Sequence, residues 1–296
     1  MLGDTQMLID RPAAAQSARQ PAVKCILLHV QDDTSLEERF ETALSLARAS
    51  SGHLRCLHVT PIEAYVAFDT FGGIFVMDDV IDALGDAEKQ LRARVEEKLR
   101  GEDVTWDYVE ITGNVVAQIL KHASLADIVI TGREPHRTDF AGPAIGILGD
   151  LLQRSRTPLL IPSSKGSPFD PTGPALIAWD GSSEAADAVR SSLKLLQGAS
   201  EVRVLRVDQE RSEAFPGTQL LEYLSRHGIH AELTVNTNSS GGGDDYVAGC
   251  IMSQAQRMGA YLVMGGYSHT RIGEFLFGGV TRTVLQDCQV PLVIAH

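Results

Sequence analysis

Residues 259–296 read GAYLVMGGYSHTRIGEFLFGGVTRTVLQDCQVPLVIAH, and residues 126–163 read ADIVITGREPHRTDFAGPAIGILGDLLQRSRTPLLIPS. At a constant offset of 133 the two align without a gap: Gly132 with Gly265, Gly146 with Gly279, Leu152 and Gln153 with Leu285 and Gln286, Pro158 with Pro291. Each holds a short apolar run, a glycine-bearing loop, an amphipathic stretch and a second apolar run, which reads as strand, loop, helix, strand. Further matches lie upstream in the same order. HLRCLHV at 53–59 pairs with EVRVLRV at 201–207, and KCILLHV at 24–30 with PALIAWD at 174–180. The repeating unit is about 125–140 residues, the size of a domain and too long for a solenoid repeat. The join, SSKGSPFDPTGP at 163–174, carries three prolines and cannot continue a helix or a central strand.

Periodicity alternates within each half. In the second, strands are expected at 174–179, 201–207, 229–235, 261–265 and 290–295. Helices are expected near 183–196, 217–227, 246–258 and 278–287. Ser182 or Ser183 can cap the first of these, since a hydroxyl satisfies free first-turn N–H groups. In the first half, strands are expected near 24–30, 53–59, 105–111, 127–131 and 158–162, with helices near 35–50, 78–100, 115–123 and 145–155. Strands separated by helices imply crossovers and a parallel sheet covered on both faces.

Composition narrows the function. The 296 residues fit two domains. A net charge of -12 repels a nucleic-acid backbone, yet one small anion can still be held by backbone N–H groups. Four cysteines with no C-x-x-C pair indicate a reducing compartment, and Cys25 and Cys56 are expected to be buried, inert thiols. No apolar run is long enough for a membrane span. Residues 1–22 lack the features of a signal peptide and read as a flexible arm, with a cytoplasmic location expected. The nine histidines show no H-x-x-x-H spacing, so no metal site is expected.

Three features together resemble the universal stress protein family: Asp180-Gly181-Ser182 at the end of a strand, a late strand ending at Gly265 before a glycine-rich loop, and the final Val290-Pro291-Leu292-Val293-Ile294. The resemblance covers 23–296 as two tandem domains, 23–163 and 174–296, joined by a linker at 164–173. It implies an α/β fold in which each domain is a five-stranded parallel, Rossmann-like sheet with helices on both faces. It also implies pairing of domains through their last strands, ATP binding in many members, and signalling in stress rather than a defined reaction.

In ATP-binding members the late loop runs Gly, two residues, Gly, nine residues, Gly, then Ser or Thr. Here the spacing holds from Gly265 through Ser268 to Gly278 and Gly279, with Ser268 in place of the second glycine and Gly279 in place of the hydroxyl residue. A helix opening at Gly278-Gly279 presents free N–H groups to a phosphate, and His269 and Arg271 can add charge. Asp180 can bind adenine or ribose, or serve only to start a helix. The candidate nucleotide-binding set is Asp180, Gly181, Val207, Gly265, Ser268, His269, Arg271, Gly278, Gly279 and Val280.

The first half departs from this pattern. Val30, or Gln31 in a shifted register, stands opposite Asp180. Pro135 replaces the middle glycine and has no N–H, and Ile145 replaces the first glycine of the pair. Nucleotide is therefore expected in the second half only, one per chain and weakly held, with ATP preferred to adenosine if the loop is used. The aromatic-rich stretch 64–79 is expected to pack over the degenerate first-half pocket. No Ser-His-Asp or Cys-His set and no carboxylate pair stands out, so the chain is read as non-catalytic. Three readings follow: an adenine-nucleotide sensor, a nucleotide-free scaffold for a protein partner or homodimer, and a weak ATPase.

Overall fold

The structure is a computed structural model and describes residues 20–61, 67–68, 74–75, 78–133, 146–163, 168–207, 215–237, 243–266 and 279–296. The first half runs β1 (Cys25–Val30), α1 (Leu36–Ser50), β2 (His53–Pro61), a short hairpin of β3 (Ala67–Phe68) and β4 (Ile74–Phe75), α2 (Asp78–Arg100), β5 (Thr105–Gly113), α3 (Val115–Ala123), β6 (Ile128–Ile130), α4 (Gly146–Arg154) and β7 (Leu159–Ile161). The second half repeats the plan. It runs β8 (Ala175–Ala178), α5 (Ser183–Leu196), β9 (Val202–Val207), α6 (Gly217–Arg226), β10 (Ala231–Asn236), α7 (Asp244–Met258), β11 (Tyr261–Gly265), α8 (Gly279–Asp287) and β12 (Leu292–Ala295).

Ten strands form one sheet in the order β10-β9-β8-β11-β12-β7-β6-β1-β2-β5. Every pairing is parallel except the junction of the halves, where β12 runs antiparallel to β7 with Leu292 opposite Ile161 and Ile294 opposite Leu159. The last strand of each half thus closes the other's edge, as an apolar edge strand requires.

The strands are apolar at nearly every position because both faces are covered. Along β1, Ile26 and Leu28 face one core and Leu27 the other; along β11, Tyr261 and Val263 face the first core while Leu262 and Met264 face the second. The first core takes Phe40 and Leu44 of α1, Leu91, Val95 and Leu99 of α2, Val189 of α5 and Leu224 of α6. The second takes Ile119 of α3, Leu151 of α4, Ile251 of α7 and Val284 of α8. Both cores run through the two halves, and each fully buried Leu or Ile contributes about 1.5–3 kcal/mol.

Polar contacts add to the junction. Arg133, after β6, is half-buried and reaches across to donate to the carbonyls of Cys288 and Val290, where its charge also suits the C-terminal end of α8. Ser163 Oγ donates to the Gln289 carbonyl at 2.7 Å, Lys194 pairs with Asp127 at 2.5 Å, and Ser45 Oγ donates to the Phe169 carbonyl of the linker.

One expectation needs correction. Cys25 is exposed, because it opens β1 at the sheet rim, whereas Cys56 is buried and its thiol is pushed up to about 12, chiefly by burial and secondarily by Asp107. Of the expected arm at 1–22, residues 1–19 lie outside the described residues; at its end the Ala22 N–H donates to the Lys194 carbonyl, and Pro21 sits where a side chain on Gly198 would stand. Of the stretch 64–79, the described residues show the β3–β4 hairpin pairing, Ala67 with Phe75 and Phe68 with Ile74. Its proposed packing over the first-half pocket lies outside the described residues.

Candidate site at the sheet edge of the second half

Strand β8 lies between β9 and β11, so the chain leaves it first toward one side of the sheet and later toward the other. In open parallel sheets the carboxyl ends of two such diverging strands leave a crevice suited to a ligand. Here that crevice is a cleft of about 170 Å³, floored by Ala178, Leu205 and Met264 and flanked by Asp180, Arg206, Val207, Val247, Gly265 and the first turn of α8.

The β8–α5 turn sets the position of Asp180. Its Oδ1 accepts from Ser182 N at 3.0 Å and from Ser182 Oγ at 2.6 Å, and Ser182 Oγ accepts from Ala185 N at 3.1 Å. Asp180 therefore fills the helix-start role, and its place on the cleft leaves the ligand role open to test. One oxygen shapes the helix start, and the exposed carboxylate stays on the rim of the cleft. Gly181 sits at φ 78°, which a β-carbon would strain; it shapes the turn without lining the cleft.

Gly265 lines the cleft, and its lack of a side chain serves the packing of the fold. A β-carbon there would fall 2.6 Å from Ala185 N and from the Glu184 carbonyl carbon, so glycine lets α5 approach β11 rather than a ligand approach the strand. Gly279 opens α8, and Val280 and Thr281 follow it along the cleft wall. Of the candidate set, Asp180, Val207, Gly265, Gly279 and Val280 are brought together. Ser268, His269, Arg271 and Gly278 lie outside the described residues.

In the first half the corresponding crevice lies between β1 and β6. The strand register places Gln31 opposite Asp180, as the sequence alignment allowed. The turn then runs two residues longer, and Asp33 takes the role of Asp180: its Oδ1 accepts from Ser35 N at 3.0 Å and Ser35 Oγ at 3.1 Å. The acid that seemed lost is displaced. It pairs with Arg39 at 2.9 Å, and Arg39 also donates to the Gln31 carbonyl and to Ser35 Oγ. The guanidinium fills the space beside Gly132, where a β-carbon would lie 2.5 Å from Nη1. A cation thus stands beside Gly132 where the backbone of α5 stands beside Gly265. Pro135 and Ile145 lie outside the described residues.

No protein-family model and no curated protein matches the chain. Among solved structures, a universal stress protein from Archaeoglobus fulgidus DSM 4304 matches with a TM-score of 0.66, over 94% of this chain and 98% of that one. This chain has the tandem universal stress protein fold. Identity to the Archaeoglobus structure is 14%, so the likeness lies in the architecture. The functionally unknown protein PA1789 from Pseudomonas aeruginosa PAO1 matches with a TM-score of 0.53 at 17% identity, over 93% of each chain.

Within this universal stress protein fold, the cleft also uses residues that the sequence pattern did not single out. Arg206 stands where β2 has His58, and the match of 201–207 to 53–59 could have flagged it. Val247 and Ile251, four apart on α7, are readable as an apolar helix face. Asp244 is not readable, because it reaches the cleft only through the packing of α7 on α8. That packing is pinned by Thr283 Oγ1 donating to Asp245 Oδ1 at 2.8 Å. The described lining holds no histidine or cysteine, and the Ser182 hydroxyl is engaged in its cap. Among the described residues no group of His, Cys, Asp and Glu is placed to hold a metal ion, and no helix is long and apolar enough to cross a membrane.

Proposed function

We propose that the chain is a non-catalytic stress-response protein of the cytoplasm that binds one adenosine-containing ligand in its second half, with ATP the form the family resemblance implies. The observation that carries this reading is the open cleft at the switch point between β8 and β11, with a carboxylate on one rim and a helix start on the other. Asp180 can accept from a ribose hydroxyl or adenine amino group, and the apolar floor suits a flat base.

Calorimetric titration of the full chain with ATP and with adenosine tests this. One site per chain is expected, at micromolar affinity or weaker. Val207→Trp, which fills the cleft, should abolish it while the melting curve stays cooperative. Two equivalent sites would overturn the assignment to the second half. No binding of either compound at millimolar concentration would favour the scaffold reading, in which the paired sheets present a surface to a protein partner.

A further inference from the structure

We propose that Asp244 makes the second-half cleft discriminate against phosphate, so that its ligand is an uncharged nucleoside rather than a nucleotide. This rests on the adenosine-binding reading above and narrows it. The start of α8 carries free N–H groups and the positive end of the helix dipole, the place where a ligand's phosphate would be drawn. A carboxylate of the chain itself already stands beside that helix start. A β-carbon built on Gly279 would lie 2.2 Å from Asp244 Oδ2 and 2.7 Å from Asp244 Cβ.

The same contact explains a departure visible in the sequence. Gly279 stands where the family's loop pattern has a hydroxyl residue, and Asp244 occupies the volume that any such side chain would need. The aspartate is held there by more than its own torsions. It is the first residue of α7, and its neighbour Asp245 accepts from Thr283 Oγ1 on α8. Across the cleft stands Asp180, so two carboxylates face the ligand. Arg206, a cation on the same lining, already has an interaction within the chain. A neutral base and sugar find acceptors here, whereas a polyphosphate meets like charge at close range.

The test is titration of adenosine and of ATP, in metal-free buffer, into the wild-type full chain and into Asp244→Asn. The wild type should bind adenosine at least about tenfold more tightly than ATP. Asp244→Asn should raise ATP affinity about tenfold, or about 1.4 kcal/mol, and leave adenosine within about twofold. Asp244→Ser, which also removes the charge, should act in the same direction and serves if the asparagine variant loses its cooperative melt. ATP binding more tightly than adenosine in the wild type, or an ATP-to-adenosine ratio unmoved by both variants, would overturn the proposal while leaving the adenosine site standing. Failure of all these proteins to bind either compound would overturn the adenosine reading, and this inference with it.

Discussion

The turn after β1 and the turn after β8 begin from the same plan and end in opposite states. Each has an aspartate whose Oδ1 accepts from the N–H and hydroxyl of a serine two residues on, at the start of a helix. After β8, the serine caps α5 through Ala185 N and the crevice stays open. After β1, the serine hydroxyl is turned to Arg39, and the guanidinium fills the edge of the crevice. The space beside the late glycine is thus taken by an arginine side chain in the first half and by the backbone of α5 in the second. Retaining a motif does not retain a site when a neighbouring side chain can reach the same space.

The strongest way to break the comparison is to part the halves. Val293 is buried in β12 between Val263 on one side and Leu160 on the other. Val293→Pro removes a ladder donor in the middle of the sheet and a packed side chain, and should cost about 5 kcal/mol. Urea unfolding should show the loss, and small-angle scattering should show two lobes where the wild type shows one body.

Next comes the aspartate pair. Arg39 is 1% exposed and Asp33 12%. Asp33→Ala strands a buried guanidinium and should cost about 3 kcal/mol. Asp180→Ala removes only exposed turn bonds and should cost about 1 kcal/mol. Equal losses in chemical denaturation would show that Arg39 is not held by its carboxylate.

The late glycines sharpen the contrast further. Gly265→Ala meets helix backbone, which cannot swing away, and should cost about 2 kcal/mol. Gly132→Ala meets the far end of an arginine and should cost less than about 1 kcal/mol. Thermal melts of the two variants would reveal a reversed order.

The smallest effect concerns His58, the first-half counterpart of Arg206. Burial lowers its pKa, against the opposing pull of Glu88, Glu110 and Asp32. Because the folded pKa lies below the unfolded value of 6.5, the unfolded chain binds the proton more readily between the two. Stability should therefore fall as pH drops through the unfolded value of 6.5. His58→Gln should flatten that part of the pH profile. An unchanged profile would place its origin elsewhere.

The residues themselves specified the repeat and the alternation of strand and helix, and the family resemblance implied the pairing of the two final strands. Those features depend on local apolar period and on the need to cover an apolar edge, and both are written along the chain. Asp180, Val207, Gly265, Gly279 and Val280 were also within reach, since strand ends and a glycine spacing mark them. Asp33 was hidden because its turn is two residues longer than that of Asp180, which defeats a fixed-offset alignment. Arg39 looked like an ordinary charged residue on an amphipathic helix, and only the fold turns it inward to an acid and a carbonyl. Asp244 and Gly279 lie far apart in sequence, and no local pattern couples them. Tertiary structure alone decided what stands beside Gly132, Gly265 and Gly279, because each contact joins residues of separate elements far apart in sequence.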